Sequence, residues 1–390
     1  MPYGDFRCFV AFVGRWFASS TPKAVLSSSM LEEVSMKVLF IGGTGTISTA
    51  VVEHLAELPK WEVYVLNRGN RLETLPSGVH QLTADIRDIG SVERCLGGLF
   101  FDVVCDFIGF APSDIESLCG LLKGRVGQFV YISSASAYQK PPKGWLITED
   151  TPLENPYWEY SRNKIACERY LMGLFHNEGF PVTIVRPSHT YCERSVPVAV
   201  HGAKGSWQVL KRMIEGKPVV VHGDGSSLWT VTDSRDFAKA FVGLLGNPKA
   251  IGQAFHITSD ESNSWNRIYE TIAACLSREL GRTIDFVPCY VPSSVIAEFG
   301  PSCGYDMRGN LLGDKANSVV FDNFKVKSVV PSFNASISME EGFARTIHNV
   351  VSSPELQRED PEFDVWCDRL VTAMDAARRS LGVGDLAQGV

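Results

Sequence analysis

Short apolar runs recur through the first half of the chain, each followed by a turn and then by apolar positions at helical spacing. Residues 38–41 (VLFI) are uninterrupted, and Val51, Val52 and Leu55 then share one face of a segment beginning at Thr46. Residues 61–66 (WEVYVL), 80–84 (HQLTA), 101–107 (FDVVCDF) and 128–132 (QFVYI) repeat the theme, with a helix expected from about residue 113. Runs without strict alternation suit strands buried on both faces. Strands alternating with helices in this way predict an α/β fold, a doubly wound parallel sheet of the Rossmann type. Beyond residue 190 the pattern is shorter-ranged and predicts a smaller α/β lobe. Its expected strands are 218–221, 254–257 and 284–287. Its expected helices are 236–245, 265–276, 339–350 and 361–381, with Phe237, Phe241 and Leu244, and later Phe363, Trp366 and Leu370, on the buried faces.

Composition narrows the class. The 390 residues are 45% hydrophobic and 21% charged, with a formal net charge of −7, so a sizeable core is affordable and no basic surplus favours nucleic acid or an anionic membrane. No apolar run reaches bilayer length. Ten cysteines without a CxxC pair and eight histidines without ligand spacing argue for reduced thiols in a cytoplasmic protein, with no disulfide frame and no metal. Residues 1–35 stand apart. Arg7, Arg15 and Lys23 lie among aromatics, followed by Ser19, Ser20, Ser27, Ser28 and Ser29. This reads as a disordered extension ahead of Met36, or as a mitochondrial presequence, a reading that Asp5, Glu32 and Glu33 weaken.

The candidate chemistry begins at Gly42, Gly43 and Gly45, between the first strand and the first helix. Glycines let backbone approach a dinucleotide pyrophosphate, and the amides that open a helix, here around Thr46 and Ile47, attract its charge. The second strand ends in Asn67-Arg68-Gly69, where an acid would bind both ribose hydroxyls; with Arg68 there instead, NADP is favoured over NAD. Asp85, with Ile86 beside it, either meets the adenine or caps the helix starting near Ile89. Ser133 and Ser134 stand where the fifth strand ends, the edge at which such sheets bind ligands. Further on, Tyr160 and Lys164 are one helical turn apart, and a phenol beside an ammonium titrates low enough to serve as acid and base for a secondary alcohol and its ketone.

Taken together, GGTGTIS (42–48), DIRD (85–88), VYISSASAY (130–138), YSRNK (160–164), IVRPSHTY (184–191) and HGDG (222–225) resemble the extended short-chain dehydrogenases/reductases, the NAD-dependent epimerase/dehydratase family. The resemblance implies domains at 36–190 (dinucleotide-binding) and 191–352 (substrate lobe, with some crossover back to the first sheet), then a C-terminal helix and tail at 353–390. It implies a catalytic set of Ser134, Tyr160 and Lys164, with Lys164 holding the nicotinamide ribose and lowering the Tyr160 pKa, and Ser133 packed in the sheet. Backbone from Pro187 to His189 would meet the carboxamide, and a homodimer would form through the helix bearing Tyr160. Departures matter too. Ser48 replaces the last glycine of the fingerprint. Ala135 and Ser136 replace the Asp-Glu pair of dehydratases. Ser226 and Ser227 follow the GDG turn where nucleotide-sugar members carry Arg, and Trp229 comes soon after, which points to a less charged, small-molecule substrate that is not nucleotide-linked.

Ser136, His189, Trp207 and Trp229 are the substrate candidates, His189 also as an auxiliary acid/base. His201 and Lys204 are further candidates, on a loop expected over the site at 194–207. The expected activity is NAD(P)-dependent interconversion of a secondary alcohol and a ketone. A redox-neutral epimerase using the same residues is the alternative, and a non-catalytic nucleotide- or RNA-binding relative is the alternative from another class.

Overall fold

The computed structural model describes residues 35–69 and 75–383, so the expectation for residues 1–35 lies almost entirely outside the described residues. Seven strands form the central sheet: β1 (Met36–Ile41), β2 (Trp61–Asn67), β3 (His80–Thr83), β4 (Phe101–Asp106), β5 (Val126–Ile132), β6 (Val182–Pro187) and β7 (Gln253–Ile257). They are all parallel, in the order β7-β6-β5-β4-β1-β2-β3. Pairing of Ile41 with both Leu66 and Asp106, and of Ile132 with Val185, aligns their carboxyl ends along one edge. The strand order reverses between β1 and β4, so a crevice opens there.

The sheet's two faces explain why its strands lack alternation. Val38 and Phe40 point into one core with Val51, Val52 and Leu55 of α1 (Ser48–Ala56). Leu39 and Ile41 point the other way, to Val92 and Leu96 of α2 (Ile89–Leu96), Ile115 and Leu118 of α3 (Pro112–Leu122) and Leu171 of α4 (Glu159–Glu178). Successive side chains alternate in direction, but both directions are apolar.

Two elements that periodicity assigned to the smaller lobe belong to this sheet. Strand β7 is its edge, and Phe237, Phe241 and Leu244 of α6 (Ser234–Leu244) pack in the same core as α1. The lobe has its own core, in which Trp265, Tyr269, Phe343 and Ile347 meet Phe363, Trp366 and Leu370 of the helix Pro361–Ser380. Residues 284–287 are not a strand. The Ser277 hydroxyl accepts from the Ile284 amide at 2.8 Å, and the ladder starts later, with Pro288–Val291 parallel to Val219–His222. Among the described residues no helix is long and apolar enough to cross a membrane, and no cluster of His, Cys, Asp or Glu has the makings of a metal site.

Candidate active site

Three clefts run along the carboxyl edge of the sheet and open into one another. The glycine turn floors the first two. Gly42 has φ +85°, and a Cβ there would stand 2.5 Å from the Ile108 Cγ2; one on Gly43 would stand 2.8 Å from the Val65 methyls. Neither position admits a side chain. Ser48, in the place of the fingerprint's last glycine, is buried and braces the turn: its Oγ donates to the Gly42 carbonyl (2.7 Å) and accepts from the Gly45 amide (2.8 Å). The substitution is therefore accommodated by hydrogen bonds. Helix α1 has no side-chain N-cap, which leaves its opening turn without a built-in anion.

The first cleft, about 320 Å³, is lined by Asn67, Arg68, Gly69, Asp85, Ile86 and Arg87 at its far end. Asn67 Oδ1 accepts from the Gly69 amide at 2.9 Å, closing the loop that presents Arg68. Asp85 does not cap α2; that place is taken by Asp88, whose Oδ1 accepts from the Ser91 amide at 3.1 Å, while Asp85 accepts from the Arg87 amide. Arg87 is a second cation at this end that sequence reasoning passed over, although it stands within the DIRD stretch.

The second cleft, about 290 Å³, adjoins the first at Gly42, Gly45, Ile108 and Phe110 and continues past Thr46, Ile47, Ile132 and Ser133 to Ser134, Tyr160, Lys164, Pro187 and Ser188. Lys164 is buried and donates to the carbonyls of Gly109 (2.9 Å) and Ile132 (2.7 Å). Burial pushes its pKa down to about 8, with the Asp106 carboxylate opposing. Tyr160 does not titrate low. Burial pushes its phenol up, the Ser134 hydroxyl opposes through a hydrogen bond, and Asp314 adds to the rise. The ammonium of Lys164 lies 5.8 Å from the Tyr160 ring centre with two of its donors turned to backbone, so it does not deliver the expected lowering. Ser133 holds the sheet through its amide, which donates to the Val185 carbonyl at 2.7 Å, but its buried hydroxyl has no partner and borders this cleft.

The third cleft, about 220 Å³, shares Ser134, Tyr160, Pro187 and Ser188 with the second and adds Ser136, Trp158, His189, Trp229, Asp314, Lys315 and Phe321. The Trp229 indole N–H donates to His189 Nδ1 at 3.1 Å, so the imidazole carries its proton on Nε2. Burial and the nearby Lys315 charge hold His189 well below its ordinary pKa. It is a neutral hydrogen-bond donor, not the acid/base that its residue type suggested. The ring of Trp229 is buried and stacked on Trp265, with centroids 5.6 Å apart. Trp207 opens α5 (Trp207–Ile214), packs against the lobe core and lines none of these clefts. His201 sits in a neighbouring recess with Thr46 and His189, walled by Ser195 to Val198. The backbone of Lys204 is tied to Asp360.

Sequence reasoning missed the cluster on the opposite wall. Leu311–Lys315 is a single π-helical turn, a rare geometry often found at functional sites. The carbonyl of Lys315 accepts from His222 Nε2 (3.1 Å), Trp265 Nε1 (3.2 Å) and Ser227 Oγ (3.2 Å), so the histidine of HGDG serves to anchor this turn. Asp314 pairs with buried Lys140 at 3.6 Å. Burial pushes both lysines down and Asp314 up. No local spacing links residues 140 and 314; only the fold brings them together.

Residues 115–258 match the model of the NAD dependent epimerase/dehydratase family. Among characterised proteins the chain is similar to the 2'-dehydrokanamycin reductase of Streptomyces kanamyceticus, 27% identical over 267 residues, 68% of this chain and 72% of that protein. It is also similar to the chloroplast stem-loop binding protein of 41 kDa b of Arabidopsis thaliana, 27% identical over 253 residues, 62% of each chain. Among solved structures, the UDP-glucose 4-epimerase of Bifidobacterium longum, in complex with NAD+ and UDP, superposes with a TM-score of 0.63 at 18% identity, over 82% of this chain and 99% of that one.

Proposed function

Because residues 115–258 match the NAD dependent epimerase/dehydratase family model, we propose that this chain is an NADP(H)-dependent oxidoreductase that reduces the ketone of a small substrate not linked to a nucleotide. The observation that carries this reading is the shared wall of the second and third clefts, where Ser134 and Tyr160 face both at once. A dinucleotide fits the first two clefts by the residues present. Gly42 and Gly45 line both clefts, so backbone is open to a pyrophosphate beside the uncapped start of α1. When bound, the nicotinamide supplies or accepts the hydride.

The chain's own groups handle the proton. Tyr160 is held protonated at neutral pH by burial, which makes it an acid for the ketone oxygen. Ser134 donates a hydrogen bond to the same oxygen as charge develops on it. Lys164 has a third N–H beyond the two engaged with carbonyls, and that one is left for the nicotinamide ribose. His189 Nε2–H and Lys315 offer donors for a second oxygen of the substrate, and the small cleft suits a compact molecule.

The first test is a titration of the protein with NADPH and NADH, followed by nicotinamide fluorescence. NADPH is expected to bind more tightly, because Arg68 and Arg87 line the far end of the first cleft and the second strand ends in Asn67-Arg68 with no acid to repel a 2′-phosphate. Arg68→Ala should weaken NADPH about tenfold while leaving NADH nearly unchanged, as loss of one charged hydrogen-bond partner predicts. Equal loss for both cofactors would remove Arg68 as a phosphate reader. A cofactor that co-purifies and does not exchange would favour the epimerase instead.

A further inference from the structure

Ser136 and Ser161 both belong to motifs that drew attention through their neighbours, Ser134 and Tyr160, and neither has a role in the chemistry described so far. Ser161 is completely buried. Its Oγ donates to Ser136 Oγ at 2.7 Å. Ser136 Oγ in turn lies 2.9 Å from Ser134 Oγ, and the Ser136 amide donates to that same Ser134 oxygen at 3.2 Å. A hydroxyl has one proton and two lone pairs. Ser136 accepts from Ser161 and keeps its own proton, for which the Ser134 hydroxyl 2.9 Å away is an acceptor. With that proton directed to Ser134, the Ser134 oxygen receives two hydrogen bonds, from the amide and the hydroxyl of residue 136, and its own proton points outward, to the side where Tyr160 lies.

The relay is held from outside as well. The Ser136 carbonyl accepts from Asn155 Nδ2 at 2.8 Å, and the same amide nitrogen donates to the Gly313 carbonyl at 2.7 Å. The serines are thereby tied to the turn that carries Asp314 and Lys315.

We propose that Ser161 and Ser136 are positioning residues that make Ser134 an obligate hydrogen-bond donor toward the Tyr160 hydroxyl and the reacting substrate oxygen. The proposal rests on the catalytic reading above and deepens it. The hydroxyl of Ser136, a substrate candidate by sequence, is committed to the relay. Without the relay Ser134 is free to rotate and to donate to Ser136 instead, which leaves the reacting oxygen without its donor for part of the time. The groups facing Tyr160 are Lys164 on its own helix, Asp314 and Lys315 from the π-helical turn, Lys140 paired with Asp314, and His189, which is neutral. Burial raises the phenol's pKa, the Ser134 hydrogen bond lowers it, and Asp314 adds a smaller rise.

The test is the pH profile of kcat for ketone reduction with the full chain. Reduction needs protonated Tyr160, so activity falls as pH rises through the phenol's pKa. Ser161→Ala should lower kcat about tenfold, the order expected for one hydrogen bond to a developing charge, and move that falling limb to higher pH, with the NADPH Kd unchanged. Ser136→Ala should do the same. In a Ser134→Ala background, Ser161→Ala should have no further effect, because it acts only through Ser134. An additive loss in that background, or a limb that does not move, would overturn the proposal and leave Ser161 as a packing residue.

A second readout needs neither substrate nor cofactor: tyrosinate absorbance during a pH titration, with the Tyr160→Phe trace subtracted. The Tyr160 step should move to higher pH in Ser161→Ala, and an unmoved step overturns the relay. Failure of the protein to bind any nicotinamide cofactor would sink the functional reading, while the tyrosinate step would still decide the relay.

Discussion

Tyr160→Phe should abolish turnover, a loss on the order of 10³-fold or more, while the NADPH Kd stays within about twofold. The change removes one oxygen and almost no volume. The ring remains against Trp158, at 4.9 Å between centroids, and Phe110, at 6.2 Å, so the walls of both clefts persist. What disappears is the proton carrier. Tyr160 is partly buried between two clefts, and water there has no fixed geometry toward the reacting oxygen, so solvent is a poor substitute. Turnover and fluorescence titration of the same preparation separate the two effects. A variant that still turns over normally would mean that the proton comes from elsewhere.

Glu168→Ala should be the most destabilising single change near the site, by about 3–5 kcal/mol, because it strands a buried charge. Arg186 Nε donates to Glu168 Oε1 at 3.0 Å and Nη2 to Oε2 at 2.6 Å, and both residues are at most 5% exposed. The pair continues into a wider buried network. Arg186 Nη1 donates to the Tyr138 hydroxyl at 3.2 Å, and that hydroxyl meets His256 Nδ1 at 3.0 Å. His256 Nε2 donates to the Asp322 carbonyl at 2.7 Å. The network thus joins α4, β6 and β7 to the backbone just beyond residue 321. Glu168 lies one helical turn past Lys164 on α4, so NADPH binding should weaken along with the melting temperature. Thermal unfolding with and without NADPH measures both. An unchanged melting temperature would show that the guanidinium finds water or another partner when the carboxylate is gone.

What could be read from the sequence was local. Residues 38–41 announced a strand buried on both faces because all four are apolar, and each of the two cores receives alternate members of the run. The glycines at 42 and 43 were legible because a close backbone approach leaves a compositional mark. The four-residue spacing of Tyr160 and Lys164 places both along the second cleft, as helical geometry dictates. Periodicity also recovered β7 and α6; some crossover back to the first sheet was expected, but no spacing said which elements cross. An amphipathic face reveals that it is buried, not which neighbour buries it. The strand expected at 284–287 failed for a related reason, since a single side-chain hydroxyl claims the backbone there.

The electrostatics were the least legible part. Tyr160 was expected to titrate low beside Lys164, yet it is pushed up, because burial outweighs the pull of a hydroxyl partner and the ammonium is engaged with two carbonyls. His189 was a candidate acid/base on residue type alone; burial, helped by the Lys315 charge, holds it neutral, and an indole N–H from residue 229 leaves its proton on Nε2. Trp207, chosen as a large aromatic in a loop, packs into the lobe core instead.

By itself, then, the sequence determined the strand–turn–helix units, the doubly wound parallel class and the glycine cradle, since each is written within a few consecutive residues. The tertiary structure alone decided the Lys140–Asp314 pair, the π-helical turn pinned by His222 and the Trp229–His189 contact. These depend on desolvation and on hydrogen bonds between groups far apart in the chain, and neither quantity exists until the chain has closed around them.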